Sequence, residues 1–283
     1  MMRAFLAVTF LVGAELGLAL GVSAQRSDAT LEFAVRAAPT HGRPEKVMRQ
    51  PFYLLRASLP EIEKIARQQV APPNLESFVD KLNVSPELKE WMRGHETVSL
   101  QGNDFLASLT VDEVMNVPEF RRAYVTRNLI MVGLGFPKRK AKLSDREKNP
   151  EKWEKSEKRY WEEVRSYLIL HPESKDGMDE HLLDLNAAAA WRVQKKSYQR
   201  RVRQKVLQLI HSRYLLAQTE TDHEGFARLR GLPPGRYWLT NLWHEVRAGD
   251  VHLRWELPVE LRPGQTLYLE LNNANARFAH ARP

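Results

Sequence analysis

Residues 221–237 read Thr221-Asp222-His223-Glu224-Gly225-Phe226-Ala227-Arg228-Leu229-Arg230-Gly231-Leu232-Pro233-Pro234-Gly235-Arg236-Tyr237. They describe two turns framing short strands. Asp222 can accept backbone N–H groups across a tight turn, and Gly225 can take the positive φ that closes such a turn cheaply. Phe226 to Leu229 then run as a short strand. Gly231-Leu232-Pro233-Pro234-Gly235 makes a second corner, in which the prolines fix φ and the glycine supplies the reversal. Tyr237 enters the next strand two residues past that corner. A tyrosine so placed buries its ring while its hydroxyl bonds back to the corner backbone, as in the tyrosine corner of β-sandwiches.

Around this stretch the hydrophobic period is two. Residues 214–221, 226–230, 236–243, 251–261 and 265–271 read as strands. The clearest is 251–261, where Val251, Leu253, Trp255, Leu257, Val259 and Leu261 alternate with His252, Arg254, Glu256, Pro258 and Glu260. Residues 272–283 carry no pattern and are expected to be a flexible tail. Far upstream, Leu31, Phe33 and Val35 alternate with Glu32, Ala34 and Arg36, and residues 52–57 give a second strand.

Between these two groups the period changes. Ser58-Leu59-Pro60-Glu61 is a capping box, and further helix starts recur at Asn74, Ser85-Pro86-Glu87, Thr110-Val111-Asp112-Glu113 and Pro118. Short helices broken by proline and glycine describe residues 60–128. Asn149-Pro150 opens a longer helix with Trp153, Tyr160, Val164, Tyr167 and Leu168 on one face. After a break at 172–177, a second long helix is expected from about Met178 to Ser212. Its apolar stripe of Trp191, Tyr198, Val202, Val206 and Leu209 should face Trp153, Tyr160 and Val164 of the first, as a helical hairpin.

The motif T-D-x-x-G-F … G-L-P-P-G-x-Y resembles that of the carboxypeptidase regulatory-like domain, a small transthyretin-like β-sandwich. The resemblance covers the strands alone, roughly 31–58 and 214–271. It implies structural roles for Thr221, Asp222, Gly225, Gly235 and Tyr237 and carries no catalytic residue. The fold class expected is therefore α+β: a seven-stranded transthyretin-like sandwich, residues 25–58 and 214–271, interrupted by an α-helical insertion at 59–213. Closing a floppy loop of roughly 150 residues would cost about 4 kcal/mol, and a folded insert with adjacent ends avoids much of that. Such a long insertion is the chief departure from the family pattern.

At 283 residues there is room for two units with real cores. Residues 1–24 read as a secretory signal: Arg3, an apolar run, and Val22-Ser23-Ala24 before Gln25. Glu15 inside the apolar run departs from that pattern and leaves an uncleaved anchor as the alternative. No later stretch is long and apolar enough to span a bilayer; residues 129–136 are short and broken by Gly133 and Gly135. The expected location is the periplasm or the extracellular space. With no cysteine, disulfides, thiolate metal sites, cysteine nucleophiles and a lipidated cysteine are excluded. The net charge of +8 survives signal removal, because Arg3 and Glu15 cancel. A basic exported protein seldom meets nucleic acid; anionic glycans, phospholipid headgroups or an acidic protein are the expected partners.

Candidate chemistry is sparse. His171, Glu173, Asp176, Asp179, Glu180 and His181 gather in the helix–helix break, but in neither His-Glu-x-x-His nor calcium-loop spacing. A solvated turn pivoting on Asp176-Gly177 accounts for them. Gly133-Leu134-Gly135 with Lys138, Arg139 and Lys140 matches no phosphate-binding fingerprint, and no Gly-x-Ser-x-Gly occurs. Trp255 falls on the core face of its strand. Trp238, on the opposite phase from Tyr237, is the tryptophan that could stack on a sugar. The strongest surface feature is 191–213, where Arg192, Lys195, Lys196, Arg200, Arg201, Arg203, Lys205 and Arg213 fall with no acidic residue. Acids of the preceding helix, such as Glu151, Glu154, Glu157, Glu162 and Glu163, could neutralise them. That helix also carries Lys152, Lys155, Lys158, Arg159 and Arg165, which consume acid in local pairs. Arg192, Lys195, Lys196, Arg200 and Arg203 are the residues expected to meet an anionic partner.

The function expected is that of an exported, non-catalytic binding or structural protein, with no catalytic residue, cofactor or metal. A carbohydrate-binding module using Trp238, or a hydrolase with a metal or carboxylate site in the insertion, are the alternatives.

Overall fold

Strand β1 (Ala29–Ala37) shows how alternation positions the first core: Ala29, Leu31, Phe33, Val35 and Ala37 are buried, while Arg36 is exposed. A computed structural model describes residues 27–130, 135–142 and 144–278 of a mixed α+β chain. The secretory-signal reading lies outside the described residues. The chain divides into two compact units, one from the segments up to Leu59 and from Arg213 onward, the other from Pro60–Ser212.

In the first unit, β2 (Glu45–Lys46), β3 (Pro51–Leu55), β4 (Leu215–Glu220), β5 (Phe226–Leu232), β6 (Gly235–Thr240), β7 (Val246–Ala248), β8 (Val251–Arg254), β9 (Glu256–Leu261), β10 (Thr266–Leu271) and β11 (Arg277–Phe278) join β1. One sheet is centred on β1, which pairs antiparallel with β5 (Leu31 opposite Leu229) and parallel with β10 (Leu31 opposite Leu267). β2 extends the far end of β1. A second, antiparallel sheet runs β4-β3-β6-β9. Residues of both sheets share one core, where Phe33 of β1 meets Phe52 of β3 edge-on at 5.0 Å between centroids. Each such buried side chain contributes about 1.5–3 kcal/mol.

The run 251–261 is not one strand, as the alternation suggested. It breaks at Trp255 into β8, which joins the small sheet β11-β8-β7, and β9, which joins the second large sheet. The side chain of buried Asn241 makes the break: its Oδ1 accepts the Trp255 N–H at 2.9 Å, and the Trp255 indole donates to the Asn272 carbonyl at 3.1 Å. Side chains stay in phase through the kink, so period-two reading passes over it. Residues 272–278, expected to be part of a flexible tail, are ordered by asparagines. Asn273 exchanges two bonds with the Ala38 backbone at 2.9 and 2.8 Å, Asn275 holds the Glu270 carbonyl, and β11 then pairs with β8.

The second unit is helical: α1 (Leu59–Gln69), α2 (Leu75–Asp80), α3 (Pro86–Gly94), α4 (Asn103–Ser108), α5 (Val111–Asn116), α6 (Pro118–Ile130), α7 (Asp145–Lys148), α8 (Pro150–Leu170) and α9 (Ala188–Leu209). Asn74, Ser85, Thr110 and Asn149 each accept a backbone N–H as N-caps, the Thr110–Glu113 pair as a full capping box. The core gathers Trp91, Phe105, Phe120, Tyr124, Tyr160, Val164 and Leu168, with Trp91 edge-on to Phe105 and Phe120 at 5.6 and 5.0 Å.

Two expectations fail here. Residues 178–212 are not one helix: Met178–Leu185 is 3-10, α9 follows, and Ile210–Tyr214 is a π turn. Asn186 sits at the joint, its Oδ1 accepting from Ala188 N and Leu100 N. The apolar stripe of α9 is also not committed to α8 as a hairpin seam. Tyr160 and Val164 of α8 enter the central core with residues of α3–α6, and Trp191 of α9 packs against that core through Phe78 of α2, at 5.1 Å between centroids. Val202, Val206 and Ile210 are buried outside that core.

Candidate functional site

Helix α9 is pinned through its apolar residues at its two ends. Trp191 is half-buried against Phe78 near the start, and Val202, Val206 and Ile210 are buried near the finish. Between them, every residue from Arg192 to Ser197 is exposed, so this part of the helix presents side chains to solvent all round. Arg192, Lys195, Lys196, Arg200 and Arg203 are all exposed, and α9 contains no aspartate or glutamate.

The partners of these cations differ. Lys195 lies over the Trp191 ring at 5.6 Å, Lys205 donates to Gln208 at 3.1 Å, and Arg203 also has a partner. Among the described residues, Arg192, Lys196, Arg200 and Arg201 form no ion pair. Arg213, beyond the helix, stacks over Tyr214 at 5.3 Å. Acids of α8 that do form ion pairs use other partners: Glu157 meets Arg139 at 3.5 Å and Glu163 meets Arg159 at 3.0 Å. Arg165 of α8 instead reaches Asp112. At about 100° per residue, Arg192, Lys196 and Arg200 fall within roughly 80° of one another, about 6 Å apart along the axis. Like charges so spaced in water repel weakly, and an anion of matching extent relieves that repulsion.

The turn residues lie together in the first unit. Asp222 Oδ1 accepts from Glu224 N and Phe226 N, both at 2.8 Å, closing an Asx turn. Gly225 has φ +72°, and a Cβ there would stand 2.8 Å from the Val35 carbonyl oxygen. Buried Thr221 receives Gln50 N on its hydroxyl at 2.9 Å and exchanges backbone bonds with residues 49 and 50. Tyr237 donates its hydroxyl to the Pro233 carbonyl at 2.9 Å, and its ring lies against Gly235, where a Cβ would come within 3.0 Å of the hydroxyl oxygen. These five residues hold turns and offer no reactive arrangement.

The remaining candidates separate. His171 pairs with Glu173 at 3.2 Å, Asp179 accepts from Gly102 N, and Gly177, at φ +79°, packs on Arg127. Among the described residues no three His, Asp or Glu side chains gather as metal ligands. A cleft of about 590 Å³ beside this break is lined by Asn103, Leu106, Pro172, Lys175, Asp176 and Asp179. Lys175 already donates to the Leu109 carbonyl at 2.7 Å. Residues 131–134, including Gly133 and Leu134, lie outside the described residues; Arg139 stacks on Tyr160 and Trp161 at 5.0 and 5.4 Å. Trp255 is buried, and Trp238 and Trp243 are half-buried. No helix of the described residues is long and apolar enough to cross a membrane.

A polar node absent from the sequence reading joins α3 to α5. Glu113 accepts from Thr110 N at 2.7 Å, Thr110 Oγ1 at 2.8 Å, the Trp91 indole at 3.1 Å and His95 Nε2 at 3.1 Å. Burial pushes the Glu113 carboxyl pKa up, but bonds from the Thr110 backbone and hydroxyl, with His95 and Trp91, outweigh it and hold it below its ordinary value. The visible signal was the capping box. Its reach back to Trp91 and His95 is a tertiary fact. In the same core, burial raises the Tyr124 hydroxyl to about 12, although Ser174 bonds it at 2.7 Å.

No family model matches the chain, and neither the curated proteins nor the solved structures contain a match to it.

Proposed function

We propose that this chain is an exported, non-catalytic binding protein in which a seven-stranded, transthyretin-like sandwich of the carboxypeptidase regulatory-like kind carries a helical insertion that binds an anionic envelope component. The observation behind this reading is α9. Its exposed cations share the helix with no acid, and ion-paired acids of α8 are engaged with Arg139 and Arg159. The strands β1, β3, β4, β5, β6, β9 and β10 and the Tyr237 corner support the sandwich part. Neither a metal nor a cofactor is part of the proposal.

Dextran sulfate, a soluble polyanion, tests the binding part. Wild-type protein should be retained on it at low salt and released as salt shortens the screening length. Charge reversal at Arg192, Lys196 and Arg200 should release it at much lower salt with little change in melting temperature. Flow-through of the wild-type protein at low salt would remove the reading. Export has its own measurement: N-terminal sequencing of exported protein should begin at Gln25 or within a few residues. A stable cytoplasmic product starting at Met1 would exclude it.

A further inference from the structure

The solvent arc of α9 carries more than charge. At about 100° per residue, Val193 and Leu207 fall in the same arc of roughly 100° as Arg192, Lys196 and Arg200. Val193 is 66% exposed and Leu207 36%. Single exposed aliphatics are ordinary on a protein surface and need no explanation. These two, however, share that arc with Arg192, Lys196 and Arg200, and the apolar residues that anchor the helix, Trp191, Val202 and Val206, are centred roughly 120° away from it. The exposed arc therefore carries charge and aliphatic side chains together, beside the face that anchors the helix.

Resting on the reading of α9 as an anion-binding element, we infer that this arc seats on an anionic lipid bilayer, its cations among headgroup phosphates and Val193 and Leu207 in the interface. A glycan or an acidic protein surface in water would be matched by the cations alone and would gain little from aliphatic side chains at those two positions. A bilayer surface uses both, because interfacial helices combine electrostatic attraction with burial of apolar side chains at the headgroup–acyl boundary. With two aliphatics the attachment is shallow and reversible, and loss of each cation from an anionic surface weakens it by about fivefold.

The test uses the whole protein with phosphatidylglycerol-containing vesicles, pure phosphatidylcholine vesicles and dextran sulfate at low salt. Wild-type protein should co-sediment with the anionic vesicles and only weakly with the neutral ones. Reversal at Arg192, Lys196 and Arg200 should lower both vesicle and dextran sulfate binding at least a hundredfold. Val193→Ser with Leu207→Ser should lower vesicle binding by about tenfold and leave dextran sulfate binding unchanged. Because the chain has no cysteine, Val193→Cys gives a single labelling site. An environment-sensitive dye there should shift to the blue on anionic vesicles, and the same dye at Gln194→Cys, on the opposite side, should not. Binding to dextran sulfate without binding to vesicles would overturn the lipid inference and leave the anion-binding reading standing. So would vesicle binding indifferent to the serine pair, with no shift at position 193. Failure to bind any of the anionic surfaces would overturn both.

Discussion

Gly225→Val is expected to lower the stability of the β-rich unit by about 3 kcal/mol or more. Two costs add. The φ of +72° is one that a β-branched residue adopts only under strain, worth about 1–3 kcal/mol. The new Cβ would also stand 2.8 Å from the Val35 carbonyl oxygen and 3.3 Å from Val47 N. Those atoms cannot retreat cheaply, because Val35 O accepts from Val47 N at 3.1 Å and Val35 N donates to Gly225 O at 2.8 Å. Overpacking of this kind costs about 1–3 kcal/mol. Gly231 supplies the control. It has φ +68°, but a Cβ there meets nothing within 4 Å. Urea denaturation should show Gly225→Ala more destabilising than Gly231→Ala by at least about 1 kcal/mol, with Gly225→Val worse still. Equal midpoints for the two alanine variants would mean that β1 and the 222–226 turn are not in this close register.

The second large effect belongs to Glu113. Its carboxylate ends four hydrogen-bonding interactions, from Thr110 N, Thr110 Oγ1, Trp91 Nε1 and His95 Nε2. His95 Nδ1 faces the Trp91 carbonyl at 3.0 Å, so the ring satisfies both acceptors together when both nitrogens carry hydrogen. Glu113→Ala removes the far half of the capping box and strands the indole N–H of a nearly buried tryptophan. Bonds to a charged acceptor are worth about 1.5–3 kcal/mol and are not additive here, so a loss of about 2–4 kcal/mol is expected. The pH dependence has a definite sign. The folded-state pKa of Glu113 lies below its ordinary value of 4.5, so its contribution is fully present above that value. It is lost as pH falls through the lower, folded-state value. The stability gap between wild type and Glu113→Gln should therefore be widest near neutral pH and close as pH falls through the lowered, folded-state value. A gap that stays constant through acid would show that the charge on Glu113 contributes nothing.

What the sequence made legible follows from what periodicity encodes. Alternation at Leu31, Phe33 and Val35 marks a strand because side-chain direction repeats every two residues. The spacing of Asp222, Gly225 and Tyr237 marks turns because each residue has a local backbone job. The break at Trp255 was hidden for the same reason that the strand was visible. Side chains keep their phase across it, and the bond that redirects the chain comes from Asn241, fourteen residues away. Residues 272–275 looked patternless because asparagine side chains, not a hydrophobic period, order them. On α9 the stripe showed which side of the helix would turn inward but not against what: Trp191 meets Phe78, a partner far upstream. The cations were legible one by one. That Arg192, Lys196 and Arg200 form no ion pair among the described residues depends on where the acids of α8 and the arginines near them sit in space.

The position of β1 bears on how this chain is made. It is the central strand of its sheet, yet its two long neighbours, β5 and β10, leave the ribosome only after the whole helical unit. At ordinary synthesis speeds, the interval between Ala29 and Thr266 is roughly 10–50 s. The helical unit at 60–212 can form within that time from local contacts, whereas Leu31, Phe33 and Val35 wait for partners that do not yet exist. A nascent chain in this state is a sticky strand followed by a finished helical body. Holdase chaperones that shield exposed apolar strands should therefore matter most to this protein until both β5 and β10 have been translated, and little afterwards.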